Sequence, residues 1–208
     1  MFRYYILTIV LGILLLTVFC CLFAVPAFGF SIAYAAVMPF LSAVAVFAID
    51  AAVAEIVRLL PKKLYHPFRK RFRVFRFEKR LYKKLGIDFW KDKIPETGGL
   101  LVHFPKNHVA DLHDNAYLFR FMEETCYAEV MHLWSIPCGY LAVFLCPLRY
   151  AVCFGIPVAT VNAVLQFLPI LVQRYVRPQL MRVYLGNEKR EKRKQAGKES
   201  GQTDDRIL

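Results

Sequence analysis

From Tyr4 to Phe30 the chain carries no charged side chain, and from Phe30 to Ile49 it carries none again. Between Leu133 and Val172 the one charge is Arg149. A helix that crosses a bilayer needs about 20 consecutive apolar residues. Runs of this length are too long for ordinary soluble core helices, and 57% of the chain is hydrophobic, against about 45–50% in soluble domains. The pattern predicts an all-α integral membrane protein with about four transmembrane helices in two hairpins. The first hairpin covers 1–60, its second limb continuing to Leu60 past only Asp50, Glu55 and Arg58. The second covers 132–173, with a break near Pro147, Leu148 and Arg149. Val25-Pro26-Ala27 resembles a signal-peptide cleavage site. The run before it exceeds a usual signal core and its basic start is only Arg3, so it is read as a span.

Charge orients these spans. Residues 61–93 hold 13 Lys/Arg against 3 Asp/Glu, and residues 174–208 hold 10 against 5. Both blocks flank apolar runs, so the positive-inside rule places them, and both termini, in the cytoplasm of a multi-pass cell-membrane protein. Anionic headgroups beside the spans account for this charge without any nucleic-acid partner. Segment 61–131 reads as cytoplasmic and interfacial. Within it, Phe68, Phe72, Phe75, Tyr82, Leu85 and Phe89 recur among Arg and Lys, the pattern of a basic amphipathic helix lying in the interface. Pro95, Gly98 and Gly99 mark a turn, and Asp114 or Asn115 is the N-cap of the helix that follows. The tail over 174–208 is basic, and after Leu185 it is charged and lacks aromatics, the composition of partial disorder. The 6 Cys include no CxxC pair and support neither a zinc knuckle nor a disulfide framework.

Three clusters bear on chemistry. At about 100° per residue, Glu124, Thr125, Ala128, Glu129, His132 and Ser135 share one helix face where "EETCYAEVMHLWSIP" turns apolar. Glu129 and His132 are three apart and can touch. A histidine with a carboxylate partner is the usual general-base pair, and charges at the start of an apolar span are costly. "LVHFPKNHVADLHD" spaces His103, His108 and His113 five apart, which fits neither a helix face nor a strand face and reads as a polar loop. The HxxxxD pattern of soluble glycerolipid acyltransferases, the GxSxG elbow and a Gly-rich phosphate loop are all missing. "LPILVQRYVRPQL" places Arg174 and Arg177 beside Tyr175. Membrane-end anchoring and phosphate binding by guanidinium forks account for them equally well.

Three blocks resemble the glycosyl-4,4′-diaponeurosporenoate acyltransferase family: "GIDFWKDKIPETGG", "FMEETCYAEVMHLWSI" and "LPILVQRYVRPQL", in the family's order over about 86–180. The matching positions are Trp90, Lys91, Asp92 and Pro95, then Glu124, Thr125, Glu129 and His132, then Gln173, Arg174, Tyr175, Arg177 and Pro178. Val176 and Gln179 depart from the family's Asn and Arg. The resemblance implies a membrane O-acyltransferase that moves a fatty acyl group from an activated donor to a sugar hydroxyl of a carotenoid glycoside or similar glycolipid. On this reading His132 is the general base, Glu129 orients it and Glu124 positions the acceptor. Lys91, Arg174 and Arg177 hold an anionic donor, acyl-CoA or acyl carrier protein. Trp90, Asp92, Thr125, Gln173 and Tyr175 complete the substrate site. Membrane lipid is a further partner, and no cofactor or metal is expected. Two other classes share parts of the pattern. A metal-dependent membrane hydrolase or phosphotransferase would use Glu129-x-x-His132 as ligands. A non-enzymatic membrane adaptor would use the basic segment to bind lipid.

Overall fold

The computed structural model describes residues 2–91, 111–145 and 151–204. Every regular element among them is helical. Helix α1 (Phe2–Phe19) passes through a π-helical turn, Cys20–Ala24, into a last turn, Val25–Phe28. Pro26 has no N–H to give the carbonyl four residues back, and the Val25 N–H reaches Cys20 O instead, a register shift of the π type. Gly29, at φ +68, closes the turn in the left-handed region that glycine tolerates best. Ser31 then caps α2 (Ile32–Leu59) by accepting from the Tyr34 N–H at 3.2 Å. Pro61 follows the end of α2, where a helix cannot easily continue.

The basic segment is not one amphipathic helix. Pro61 and Pro67 break it into 3-10 turns at Lys62–Tyr65 and Lys70–Phe72, then α3 (Arg76–Lys84), then a single turn at Ile87–Trp90. Phe72, Tyr82 and Ile87 point inward, while Phe75, Phe77 and Phe89 stay exposed. Amphipathic character therefore survives as alternating pieces rather than as one helical stripe. Asp114 caps α4 (Asn115–Gly139) by accepting from the N–H groups of Ala116 and Tyr117. Pro137 and Gly139 end it, and a 3-10 stretch, Tyr140–Leu145, follows. Helix α5 (Gly155–Asp204) is continuous through Pro169 and Pro178. The charged tail continues as helix to Asp204. Its Glu, Lys, Arg and Gln residues are good helix formers.

Among the described residues two helices are long and apolar enough to cross a membrane: α2, and α5 between Gly155 and Ala196. The apolar stretch of α1, Ile9–Phe23, is shorter. Among the described residues, 133–145 contribute the last turns of α4 and the 3-10 stretch, so four full spans are not established. The sides of α1 and α2 are bare, with Leu7, Leu15, Leu22 and Ile32 each more than 60% exposed, as expected of surfaces that meet lipid. The packed interior has separate layers. Cys20, Phe30, Ala35 and Met38 meet Ala151 and Phe154 at one end. Val53, Val57 and Tyr65 meet Phe72 and Cys126, and Leu118, Phe121 and Met122 meet Leu180 at the other end.

The start of α5 depends on a close backbone approach. A Cβ on Gly155 would lie 2.9 Å from the Val143 Cα, whereas one on Gly186 meets nothing within 4 Å. Overpacking of this kind costs about 1–3 kcal/mol, and alanine gains about 1 kcal/mol over glycine inside a helix. Gly155→Ala should lower the midpoint of thermal unfolding in detergent, and Gly186→Ala should hold or raise it.

Candidate functional site

A closed ionic network joins α3, α4 and α5. Arg174 donates from Nε and Nη2 to the two carboxylate oxygens of Glu78, at 2.8 and 2.7 Å. Its Nη1 donates to Glu129 Oε1 at 2.6 Å, and Nη2 also reaches Arg73 O. Arg177, one turn on, is 1% exposed. Its Nε donates to Thr125 Oγ1 at 2.9 Å and its Nη2 to Thr125 O at 3.0 Å. Arg177 Nη1 reaches Phe72 O at 3.4 Å, and the guanidinium lies over the Phe72 ring. The same Nη1 is 2.6 Å from Glu129 Oε2, which is out of line for a hydrogen bond, so this contact is an ion pair.

Two carboxylates therefore face two guanidiniums, and every nitrogen of both arginines is engaged. Glu78 also accepts from the Tyr82 hydroxyl and from the Phe75 N–H. Burial pushes the Glu78 carboxyl up, but the bonds from Arg174, Tyr82 and Phe75 together outweigh it and hold it down at about 2. Burial and the bond to Glu78 both push the Tyr82 phenol up.

One to two turns deeper lies a second polar group. His132 Nδ1 meets Gln166 Oε1, and Gln166 Nε2 donates to Asp50 Oδ2 at 2.6 Å. Asn162 Nδ2 also reaches Asp50, at 3.4 Å, and the Ser135 hydroxyl faces the same carboxylate. Because Asp50 accepts from the Gln166 amide nitrogen, the Gln166 oxygen can only accept. The His132 Nδ1 then carries the proton, and in the neutral ring Nε2 carries the lone pair. Gln166 precedes Arg174 by eight residues, about 12 Å along a helix, so this group sits well inside the apolar part of α2 and α5.

The sequence model of the glycosyl-4,4′-diaponeurosporenoate acyltransferase family covers residues 61–185. The chain belongs to that family. No curated protein and no solved structure matches it. The family segment holds the whole ionic network together with His132, Asn162 and Gln166, and it leaves out Asp50 on α2. Membership makes this an acyltransferase-family protein, with an acyl donor and a glycolipid acceptor as the substrates in general terms.

The residues singled out by sequence divide into four places. Thr125, Glu129, Arg174 and Arg177 come together in the network. His132 joins the Asp50 group, where Gln166 engages its Nδ1, the position the sequence reading gave to Glu129. Glu124 turns away to a cleft of about 1020 Å³ that it shares with Arg58, Arg120 and Glu123. Trp90, Lys91 and Tyr175 form a surface cluster in which Tyr175 and Lys91 both donate to Asp88, at 2.6 and 2.9 Å. The bond from Tyr175, then that from Lys91, pulls the Asp88 carboxyl down. Gln173 is buried.

Asp92, Pro95, His103 and His108 lie outside the described residues, and His113 is exposed. Among the described residues no three His, Cys, Asp or Glu are grouped to hold a metal ion. Sequence reasoning missed Glu78, Asp50, Asn162 and Gln166. A signal existed for two of them: Asp50 is the first carboxylate of the chain, inside an apolar run, and Glu78 is an acid within a basic block.

Removing one partner of a buried charge pair costs about 3–5 kcal/mol, because the other charge is left uncompensated. Arg177→Met should therefore unfold at markedly lower temperature, and Arg177→Met with Glu129→Gln should recover part of the loss. Glu78 has its folded pKa below the ordinary 4.5. Its contribution is present in full above 4.5 and is lost as pH falls through about 2, so this tie holds throughout the neutral range. A melting series from pH 7 to pH 3 should show loss only at its acidic end, and Glu78→Gln should flatten that limb.

Proposed function

We propose that the protein transfers a fatty acyl group from a thioester donor, acyl-CoA or acyl carrier protein, to a sugar hydroxyl of a glycolipid. His132 is the general base. The observation that carries this reading is the direction of the Asp50–Gln166–His132 chain, which assigns the proton to Nδ1 and the basic lone pair to Nε2. The acceptor oxygen attacks the acyl carbonyl as Nε2 takes its proton. The C–O bond forms, the C–S bond breaks, and the imidazolium returns the proton to the departing sulfur. Asp50, acting through Gln166, stabilises the imidazolium and fixes the ring. The ionic network one turn away holds α4 against α5, so that His132 on α4 and Gln166 on α5 keep their register.

In this reading Glu129 and the two arginines are scaffold rather than reactants. Glu124 lines the cleft, away from His132. The acceptor class, a carotenoid glycoside or a related glycolipid, follows from the family description. Its hydrocarbon would lie along the bare apolar sides of α1 and α2, with the sugar near the level of His132. The enzyme would be a cell-membrane protein, active from the cytoplasmic side.

A positioned general base contributes about 10²–10⁴-fold to rate. His132→Ala should lose at least that factor in single-turnover acyl transfer in nanodiscs, and His132→Gln should not recover it. Gln166→Leu should lose less, because the ring keeps its lone pair but not its orientation. Wild-type turnover by the His132→Ala protein would remove the assignment. Topology is checked separately. Cysteines placed at Lys63 and at Gly201 should label from the same side of sealed vesicles, as the basic blocks require.

A further inference from the structure

The acyl donor needs a place for its polar end, and the ionic network does not offer one. Arg174 and Arg177 are engaged at every nitrogen by Glu78, Glu129, Thr125 and backbone carbonyls. A cleft of about 1020 Å³ lies instead between the end of α2, the first turns of α4 and Tyr184. Arg58, Lys62 and Arg120 line it, against Glu123 and Glu124. A recess formed by Lys63, His66, Phe68 and Arg69 adjoins it. The two are joined by ring contacts of His66 with Phe119 at 5.4 Å and of Phe68 with Tyr184 at 6.0 Å. Arg58, Lys62 and Arg120 thus line the cleft with two carboxylates, and Lys63 and Arg69 line the recess beside it.

We propose that this cleft is a binding site for a phosphate-bearing headgroup. Guanidinium forks match phosphate oxygens in pairs, and a concave surface with an excess of one charge focuses its field on ligands of the other sign. A neutral sugar would need donors and acceptors in balance, whereas three cations stand against two carboxylates in the cleft, and the recess beside it adds two cations and no carboxylate. The floor is already in place. The Tyr127 hydroxyl donates to Ala54 O at 2.7 Å, and the Tyr127 ring carries the Arg58 guanidinium at 5.0 Å. The position also suits a long donor. Glu124, on the rim, and His132 are eight residues apart on one helix, about 12 Å. A phosphate held in the cleft would leave an extended pantetheine arm free to carry its thioester toward His132. A phospholipid of the bilayer offers the same phosphate chemistry at the same level.

The site is tested with full-length protein in nanodiscs of phosphatidylcholine, titrated with coenzyme A. Charged hydrogen bonds of this kind are worth about ten- to hundredfold in affinity. The Arg58→Gln/Arg120→Gln double variant should weaken coenzyme A by that factor, and Glu123→Gln should tighten it by removing a competing carboxylate. Both substitutions lie at the rim of the cleft. If the double variant does not fold, Arg58→Lys, which keeps charge but loses the fork, and Glu123→Gln give the same reading. If coenzyme A does not bind but phosphatidylglycerol co-purifies with the wild type and is lost from the double variant, the site stands and its phosphate comes from lipid.

The proposal is overturned if neither probe responds to the double variant. It is also overturned if Glu123→Gln weakens binding of a neutral glucosyl diacylglycerol while coenzyme A is indifferent, which would make the cleft a sugar site. His132→Ala should keep wild-type affinity for coenzyme A. An active His132→Ala protein with Arg58-dependent coenzyme A binding would therefore reject the base and retain the site.

Discussion

A guanidinium that is 1% exposed dictates the arrangement around it. An isolated charge in a protein interior costs several kcal/mol even after relaxation. It is tolerable here because Thr125 supplies two acceptors, Phe72 supplies a third and Glu129 supplies the countercharge. Glu129 in turn is half of a pair with Arg174, whose other side is closed by Glu78. Charge neutrality is reached only when residues from α3, α4 and α5 are all present. The short basic helix α3 is thereby locked to the long helices, although its own hydrophobic contribution is small.

This lock sets the depth and rotation of α4. Once Thr125 and Glu129 face α5, the helical period carries His132 and Ser135 to the same neighbour one and two turns further in. There they meet Asn162 and Gln166 of α5 and Asp50 of α2. A carboxylate in an apolar helix is expensive unless it is partnered, and Asp50 has two amide donors. The two polar groups are stacked along one seam. The upper one is fully paired and fixes geometry. The lower one ties α2, α4 and α5 together through Asp50, Gln166 and His132.

The apolar runs made the helices legible, and the capping turn at Ser31 and the cap at Asp114 follow from local chemistry. The extent of the spans did not, because the stop at Gly139 depends on Pro137 and Gly139 acting inside an apolar run that composition alone treats as continuous. Helical periodicity correctly grouped Thr125, Glu129 and His132 on one side of α4. It could not say which partner each would meet, since that depends on the rotation of α5 and on α2 coming alongside. Glu129 and His132 are near enough in sequence to suggest a pair, yet each finds a partner on α5. Glu124 shows the limit in the other direction: a face about 100° wide is broad enough for its edge to open onto a different space.

The two arginines carry the same lesson for function. From sequence, Arg174 and Arg177 fit an anchor at the membrane end or a clamp for an anionic donor, and nothing in their spacing chooses. Burial chooses. A clamp must exchange its partners for a ligand, and Arg177 would have to give up Thr125, Phe72 and Glu129 together. The cations of the cleft differ in exposure. Arg58 and Lys62 stand at the end of α2 and Arg120 on the first turns of α4, all three exposed. In the proposed site a phosphate would meet their charge without dismantling the joint built on Arg174 and Arg177, so binding and rigidity would be served by different arginines of the same chain.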